Sequence, residues 1–312
     1  ALSNRALFFG AFTGAPLLRR DPPDRYVFNY RASYAEETAA VMNYLVKVRR
    51  LKPEQIAVFA QQDGYGDAGF EGVVKAVRSL APNLDTTQVP RLGYQRNTVD
   101  VDGAVNQLAQ YQKQRAASPI KAVVMVATYR AAARFIDRTQ DVAPGLIYTN
   151  VSFVGSTALA EELRVLGPKY ANGVIVTQVV PPVEGFASVV IRYKEALAKS
   201  APGEAPDYVS LEGYLEANLL IEALRRAGSA VDTEKLVNTL EKLSQFDLGV
   251  GVPVSLSAMD HQALHKVWGT QLDASGKYQP LDYSSNDFRR QPYFDAVRLG
   301  AINAEKLAVD VL

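Results

Sequence analysis

The sequence predicts an α/β protein built on parallel sheet, and three observations carry that expectation. Short apolar runs alternate with amphipathic helical stretches from Ala6 to Val180. That alternation is the signature of right-handed crossovers with helices on both faces of a sheet. Beyond Pro181 and Pro182 the texture changes to long helical patterns, which marks a boundary between lobes. With 312 residues and 48% hydrophobic composition, the chain can bury two cores.

Taken in order, Ala6–Phe9 and Tyr26–Tyr30 are short apolar runs. Ser33, followed three residues on by Glu36, has capping-box spacing and predicts a helix with Val41, Leu45 and Val48 inward. The strand–helix step repeats at Ile56–Ala60 with a helix to Leu80, at Gln88–Leu92 with a helix over Val101–Gln114, and at Ala122–Ala127 with a helix over Arg130–Thr139. It continues at Leu146–Phe153 with a helix over Thr157–Leu163, then the strand Gly173–Val180. Helices are expected over Glu184–Lys199, over Asp207–Ala227 with Leu211, Leu215, Leu219 and Leu224 inward and Gly228 closing it, and over Thr233–Ser244. Short strands ending in Lys266–Leu272 complete the pattern.

Composition narrows the function classes. Lys and Arg number 34 against 33 Asp and Glu, scattered along the chain, so no basic stripe marks a nucleic-acid partner. The absence of cysteine excludes disulfides, thiolate metal sites and a cysteine nucleophile. No apolar run has the length of a membrane span. The first residues lack the regions of a signal peptide and lead within a few positions into the strand Ala6–Phe9, so upstream sequence is expected.

Gln55–Leu80 holds the pattern most open to misreading. Gly64, Gly66 and Gly69 have G-x-G-x-x-G spacing after an apolar strand, and Asp85 lies about 20 residues on, as a dinucleotide fingerprint requires. Gln61, Gln62 and Asp63 separate the strand from the first glycine, and Asp67 sets a carboxylate where a pyrophosphate would bind. The expected result is instead a loop carrying Tyr65 at its tip, then a helix with Phe70, Val73, Val77 and Leu80 on one face. The histidines, His261 and His265, have H-x-x-x-H spacing without a Glu beside the first, and there is no G-x-S-x-G. No catalytic residue, metal or cofactor is expected.

Several segments in order resemble one family, the periplasmic solute-binding proteins of the leucine/isoleucine/valine-binding type that serve ABC importers. They are GAFTGAPLLR (Gly10–Arg19), YVFNYRASYAEE (Tyr26–Glu37), QDGYGDAGFEG (Gln62–Gly72), TYRAAARFI (Thr128–Ile136), SFVGSTAL (Ser152–Leu159), VTQVVPP (Val176–Pro182) and SLEGYLEA (Ser210–Ala217). The resemblance covers roughly residues 6–275 and implies the type I periplasmic binding protein fold, two Rossmann-like α/β lobes joined by a hinge. On that mapping the first lobe comprises 1–30 and 181–262, the second 31–180 and 263–282, and 283–312 is an extension of unknown role. In the family about three strands and their helices, roughly 90 residues at about 30 per βα unit, precede the FTGA-like loop; they are missing from this sequence, so the first lobe is expected to be incomplete, its missing segment lost, upstream or supplied by another chain.

Such a protein closes on its ligand, so each lobe should present polar readers. Thr13 offers a hydroxyl, and the backbone from Phe12 through Gly14 to Ala15 offers N–H groups for a carboxylate; the alternative is that Thr13 caps its turn. Tyr65 is a candidate lid over a small ligand, or an ordinary turn tyrosine. Thr128 and Tyr129 follow a strand and face the same cleft on this reading, although Thr128 also suits a helix cap. Ser152 and Phe153 stand where amino-acid-binding members of the family often carry a carboxylate for the ligand ammonium. That difference favours a carboxylate without an amine, or an ammonium held by another acid such as Glu212, which otherwise serves as a helix contact; Arg31 is expected to bridge structurally or to meet a ligand carboxylate.

The expectation is therefore an extracytoplasmic monomer that captures an amino acid, 2-oxo acid or aromatic acid by hinge closure and delivers it to a membrane permease. One alternative is a sensory ectodomain, given weight by the unmatched tail with its helix-like Asn303–Leu312. An NAD-dependent enzyme is the other.

Overall fold

The computed structural model describes residues 2–281, so the expected extension 283–312 lies outside the described residues. The described residues divide into two compact units, residues 2–33 with 179–265 (unit 1) and residues 34–178 with 266–281 (unit 2). In chain order, unit 1 opens with β1 (Phe8–Phe9) and β2 (Val27–Phe28). Unit 2 follows with α1 (Tyr34–Asn43), β3 (Ile56–Gln61), α2 (Gly64–Leu80), β4 (Arg91–Tyr94), α3 (Asp102–Gln114), β5 (Ala122–Val126), α4 (Tyr129–Thr139), β6 (Ile147–Asn150), α5 (Ser156–Leu166), α6 (Pro168–Ala171) and β7 (Ile175–Gln178). Unit 1 resumes with α7 (Ser188–Ser200), α8 (Tyr208–Ala227) and α9 (Thr233–Leu240), and unit 2 ends with β8 (Trp268–Leu272) and β9 (Tyr278–Pro280).

Unit 2 is organised by one sheet in the order β4-β3-β5-β6-β7-β8-β9, parallel from β4 to β7 and antiparallel over β8 and β9. All residues of β3, β5 and β7 are buried, as apolar strands covered on both faces must be. Because crossovers are right-handed, the reversal of direction at β3 puts α2 on one face and α3, α4 and α5 on the other. The order places a topological switch point between β3 and β5, where parallel sheets open a crevice at the carboxyl ends of their strands.

Unit 1 has little sheet. Its β1 and β2 pair in parallel at Phe8↔Val27 and Phe9↔Phe28, and the chain past β2 pairs with His261–Leu264 through Asn29 and Tyr30. Its core is α7, α8 and α9, with Leu211, Leu215 and Leu219 fully buried. Asp207 caps α8 by accepting from Val209 N (2.7 Å) and Ser210 N (3.3 Å), and Gly228 closes it with φ +79°.

Five expectations need correction. The strand predicted at Gln88–Leu92 begins at Arg91, because Asp85 takes Thr87 N (2.9 Å) and winds Thr86–Gln88 into a short turn. The run Leu146–Phe153 leaves the sheet after Asn150, whose Oδ1 accepts from Val151 N (2.9 Å). The helix expected from Glu184 starts at Ser188, after a turn closed by Gly185 N on the Pro182 carbonyl. Leu224 is 38% exposed and Ala223 is buried in its place, since Leu224 stands one residue past the i+4 row set by Leu211.

The fifth correction concerns the glycine motif. Tyr65 is not at a loop tip but in the first turn of α2, which begins at Gly64 and is capped by Asp63. Gly66, Gly69 and Gly72 form a buried row on that helix. A Cβ at Gly66 would collide with the Gln61 carbonyl, at Gly69 with the Val126 side chain, and at Gly72 with Thr38 Oγ1 and, at 2.7 Å, Ala35 Cα. Gly66, Gly69 and Gly72 let α2 approach β3, β5 and α1 closely, whereas Gly64, the first glycine of the motif, has nothing within 4 Å.

Candidate ligand site

In unit 2 the predicted residues gather at the carboxyl ends of β3, β5 and β6, on both sides of the switch point. Asp63 Oδ1 accepts from Tyr65 N (3.0 Å) and Gly66 N (3.3 Å), fixing Tyr65 in the first helical turn. The amides a phosphate would use at this helix start are thus bonded to a carboxylate of the chain itself. Gln61 Nε2 donates to Asp63 Oδ2 (2.6 Å), Tyr94 OH donates to Gln61 Oε1 (3.0 Å), and Thr128 N donates to Tyr94 OH (3.0 Å). This chain of bonds ties the ends of β3, β4 and β5 together, with Thr128 and Tyr129 following the end of β5. Thr128 stands at the N-cap position of α4 without a side-chain capping bond; its hydroxyl lies 3.4 Å from Tyr94 OH. Burial raises the Tyr94 pKa, against the opposing Thr128 bonds, so the phenol stays neutral and donates.

Aromatic rings form the body of this site. Tyr65 packs edge-on to Tyr34 at 4.9 Å between centroids and tilted to Phe153 at 4.9 Å, while Tyr34 meets Phe153 at 5.9 Å. These separations lie within the favourable range for aromatic pairs. Tyr129 lies beside the same turn, since a Cβ on Gly155 would sit 3.8 Å from its ring.

The turn bearing Ser152 and Phe153 is held from below by Glu37, a residue sequence reasoning missed. Glu37 is fully buried on α1 and accepts from Ser152 N (2.8 Å), Ser152 Oγ (3.0 Å) and Thr177 Oγ1 (2.5 Å). Tyr34, one helical turn earlier on α1, contributes the third ring. The signal available in the sequence was the Glu36–Glu37 pair in a helix whose other residues are largely apolar; only the fold shows which strand end Glu37 serves.

Unit 1 presents a different chemistry. Thr13 Oγ1 accepts from Ala15 N (3.2 Å) and Thr13 N donates to Ala11 O (2.6 Å), so two of the N–H groups expected to cradle a carboxylate are used within the turn, where the hydroxyl serves as an acceptor. Gly14 is buried beside them, and Phe12, 39% exposed, covers the Arg31 guanidinium at 4.8 Å. Arg31 is fully buried with Nη1 3.5 Å from Glu212 Oε1, a structural ion pair. Glu216, one turn along α8, presses its carboxyl against Gly10, where a Cβ would lie 2.8 Å from Oε2. Burial foremost, then the charge of Glu212, raises the Glu216 pKa to about 8, against the opposing effect of Arg31. Tyr30 is raised as well, by burial first and then by both glutamates.

The histidines are engaged elsewhere in unit 1. His261 stacks on Phe28 at 3.9 Å with its ring nitrogens 2.9 Å from Val27 O and 3.2 Å from Glu241 Oε1; His265 Nε2 is 3.0 Å from Asp260 Oδ2. Among the described residues no cluster of three or more His, Cys, Asp or Glu has metal-binding geometry, and no helix is long and apolar enough to cross a membrane. Two concavities of unit 2, about 230 and 560 Å³, lie at the amino ends of β5, β6 and β7 around Arg49 and Gly145–Ile147. They are at the opposite edge of the sheet from the aromatic cluster, away from the switch-point crevice.

The fold is that of a protein of two compact α/β units. Residues 1–277 match the family model described as periplasmic binding protein, and the chain belongs to that family. Its fold is that of the type I periplasmic binding proteins of the leucine/isoleucine/valine-binding type. A possible leucine/isoleucine/valine-binding protein from Rhodopirellula baltica SH 1 is 38% identical with a TM-score of 0.82, over 90% of this chain and 72% of that one. A branched chain amino acid ABC transporter structure from Thermus thermophilus with bound valine shares the fold at 17% identity and TM-score 0.72, over 90% and 72% of the two chains. So does a solute binding protein of an ABC transporter from R. palustris in complex with benzoate, at 18% identity and TM-score 0.67, over 86% and 68%. Comparison with curated proteins by sequence gave no match.

Proposed function

We propose that this protein is the extracytoplasmic solute-binding component of an ABC importer. On this reading it captures a small carboxylate with an apolar or aromatic body by closure of its two units and hands it to a membrane permease. The observation that carries this reading is the Tyr34–Tyr65–Phe153 cluster at the carboxyl ends of β3 and β6, flanked by Thr128 and Tyr129. The three rings, packed against one another at 4.9–5.9 Å, make a contiguous aromatic patch against which the body of a small organic acid can lie. Valine and benzoate, bound by two proteins of the same fold, are acids of that size and support the choice. Hydroxyls of both units are the proposed polar readers, that of Thr13 in the Phe12–Gly14 turn of unit 1 among them. No bond is made or broken.

A thermal-shift screen against amino acids, 2-oxo acids and aromatic acids tests this, because a ligand specific to the folded state raises stability by mass action. Stabilisation by members of one acid class is expected. Stabilisation by NADH with no response to any small carboxylate would refute the reading.

A further inference from the structure

The hollows at the amino edge of the unit 2 sheet combine positive charge, a bare main-chain donor and apolar walls. The two, about 230 and 560 Å³, adjoin one another, since Arg49 and the turn Gly145–Ile147 line both. Lys169 lines the smaller and Lys121 the larger, and among the described residues no Asp or Glu lines either. The larger hollow is mostly aliphatic, with Leu51, Ile120 and Val142 in its walls. Elsewhere in unit 2 arginines are matched by acids: Arg96 by Asp63, Arg130 by Glu162, Arg134 by Asp137 and Arg138 by Asp102. Arg49, Lys121 and Lys169 have no carboxylate partner among the described residues. Arg49 Nη1 donates to Tyr44 OH at 3.5 Å, and Lys169 Nζ lies 4.7 Å from the Tyr170 ring centroid.

Helix polarity accounts for one of these three cations. Arg49 closes the helical stretch that ends at Val48, where positive charge complements the carbonyl end of the dipole. Lys121 precedes β5 and Lys169 lies on α6, so three separate segments bring charge to one edge of the sheet. In the wall shared by the two hollows Gly145 has φ +79°, and a Cβ there would meet nothing within 4 Å. Its N–H donates to no acceptor among the described residues. A guanidinium, two ammonium groups and an open main-chain N–H make a donor set for an anion, with no carboxylate in the lining to oppose it. We propose that this edge is a second ligand site, separate from the aromatic cluster, and that it takes a small amphiphilic anion. A carboxylate or phosphate head would meet Arg49, Lys169 and Gly145 in the smaller hollow, and an aliphatic chain would lie along the larger one. Together the hollows have the size of an ordinary small-molecule site. Their concavity favours a free molecule over a bilayer, whose contact needs apolar residues that protrude into the headgroup layer. The site does not depend on which acid binds at the aromatic cluster.

The probe is octyl phosphate below its self-association concentration, titrated calorimetrically at low salt into wild type and four variants. These are Arg49→Gln, Lys121→Gln with Lys169→Gln, Tyr65→Ala with Phe153→Ala, and Lys75→Gln, a control at an exposed position of α2 outside both hollows. Saturable binding is expected, weakened about threefold to tenfold by Arg49→Gln and by the double lysine variant. The aromatic variant and Lys75→Gln should bind as wild type does. Hexyl phosphate should bind more weakly, by about twofold to fourfold for each methylene lost, and octyl glucoside, with the same chain and a neutral head, should show no binding. Loss of binding in the aromatic variant but not in Arg49→Gln would put the amphiphile at the first site and overturn the proposal. Equal weakening by Lys75→Gln, equal affinity for inorganic phosphate and octyl phosphate, or retention on phosphatidylglycerol vesicles without binding of the monomer would overturn it as well. If every small acid of the thermal-shift screen fails while octyl phosphate still binds through Arg49, the function proposed above falls and this site stands.

Discussion

Unit 2 places its polar groups with a sheet, unit 1 with a helix, and the two solutions handle charge in opposite ways. In unit 2 the ends of four adjacent parallel strands deliver Gln61, Tyr94, Thr128 and Ser152 to one edge, and the buried carboxylate of Glu37 receives three donors. In unit 1 two-residue strands give little framework, and α8 carries Glu212 and Glu216 toward a single guanidinium, Arg31. A sheet edge supplies fixed donors that solvate a carboxylate; a helix face supplies a second carboxylate that one cation does not neutralise. The first arrangement surrounds its acid with hydrogen-bond donors, and the second holds one acid protonated at neutral pH.

The sharpest way to break this comparison is to remove the cation of unit 1. Arg31→Met leaves Glu212 buried beside Glu216 without its counter-ion, and should cost about 3–5 kcal/mol in urea unfolding. The double variant with Glu212→Gln should recover most of that loss; no recovery would mean that the pair is not what holds this region together.

In unit 2 the corresponding test is steric. Gly66→Ala drives a Cβ into the Gln61 carbonyl, a backbone atom that cannot swing away. It should destabilise the protein by about 1–3 kcal/mol, the usual cost of overpacking, whereas Gly64→Ala two residues earlier, with nothing within 4 Å, should be close to neutral. Equal effects of the two changes, measured by chemical denaturation, would contradict the close-packing account of the glycine row.

The smallest effect is the most diagnostic of the charge difference. Glu216 has a folded pKa of about 8, above the ordinary carboxylate value, so the folded state holds a proton that the unfolded chain releases. Its contribution to stability is complete below about pH 4.5 and is lost as pH rises through about 8. Glu216→Gln should therefore raise the melting temperature by a few degrees at pH 8.5 and leave it unchanged at pH 4. A difference that grows toward acid pH instead would show Glu216 to be ionised in the folded state.

Much of the frame was legible in the sequence because apolar periodicity reports burial directly. The runs at Ile56, Ala122 and Gly173, and the helices that follow the first two, fell close to where they lie. What was not legible depended on atoms distant in sequence. The glycine row reads as a phosphate motif until Gln61, Val126 and Thr38 are known to press against it. Tyr65 reads as a loop residue until Asp63 is seen to cap α2. Glu37 stands 115 residues before Ser152 and 140 before Thr177, and no local pattern announces a contact closed by the sheet. Thr13 shows the reverse: its local role, accepting from Ala15 N, was the simpler of the two readings and is the geometry found.

The most direct measurement of the central claim is a calorimetric titration of the best-binding acid from the screen into wild type, Tyr65→Ala and Phe153→Ala, with melting curves to confirm folding. If the aromatic cluster at the ends of β3 and β6 holds the ligand's body, each truncation should weaken binding about tenfold or more while the fold persists. Unchanged affinity in the double variant Tyr65→Ala with Phe153→Ala would contradict the account and place the ligand elsewhere on the protein.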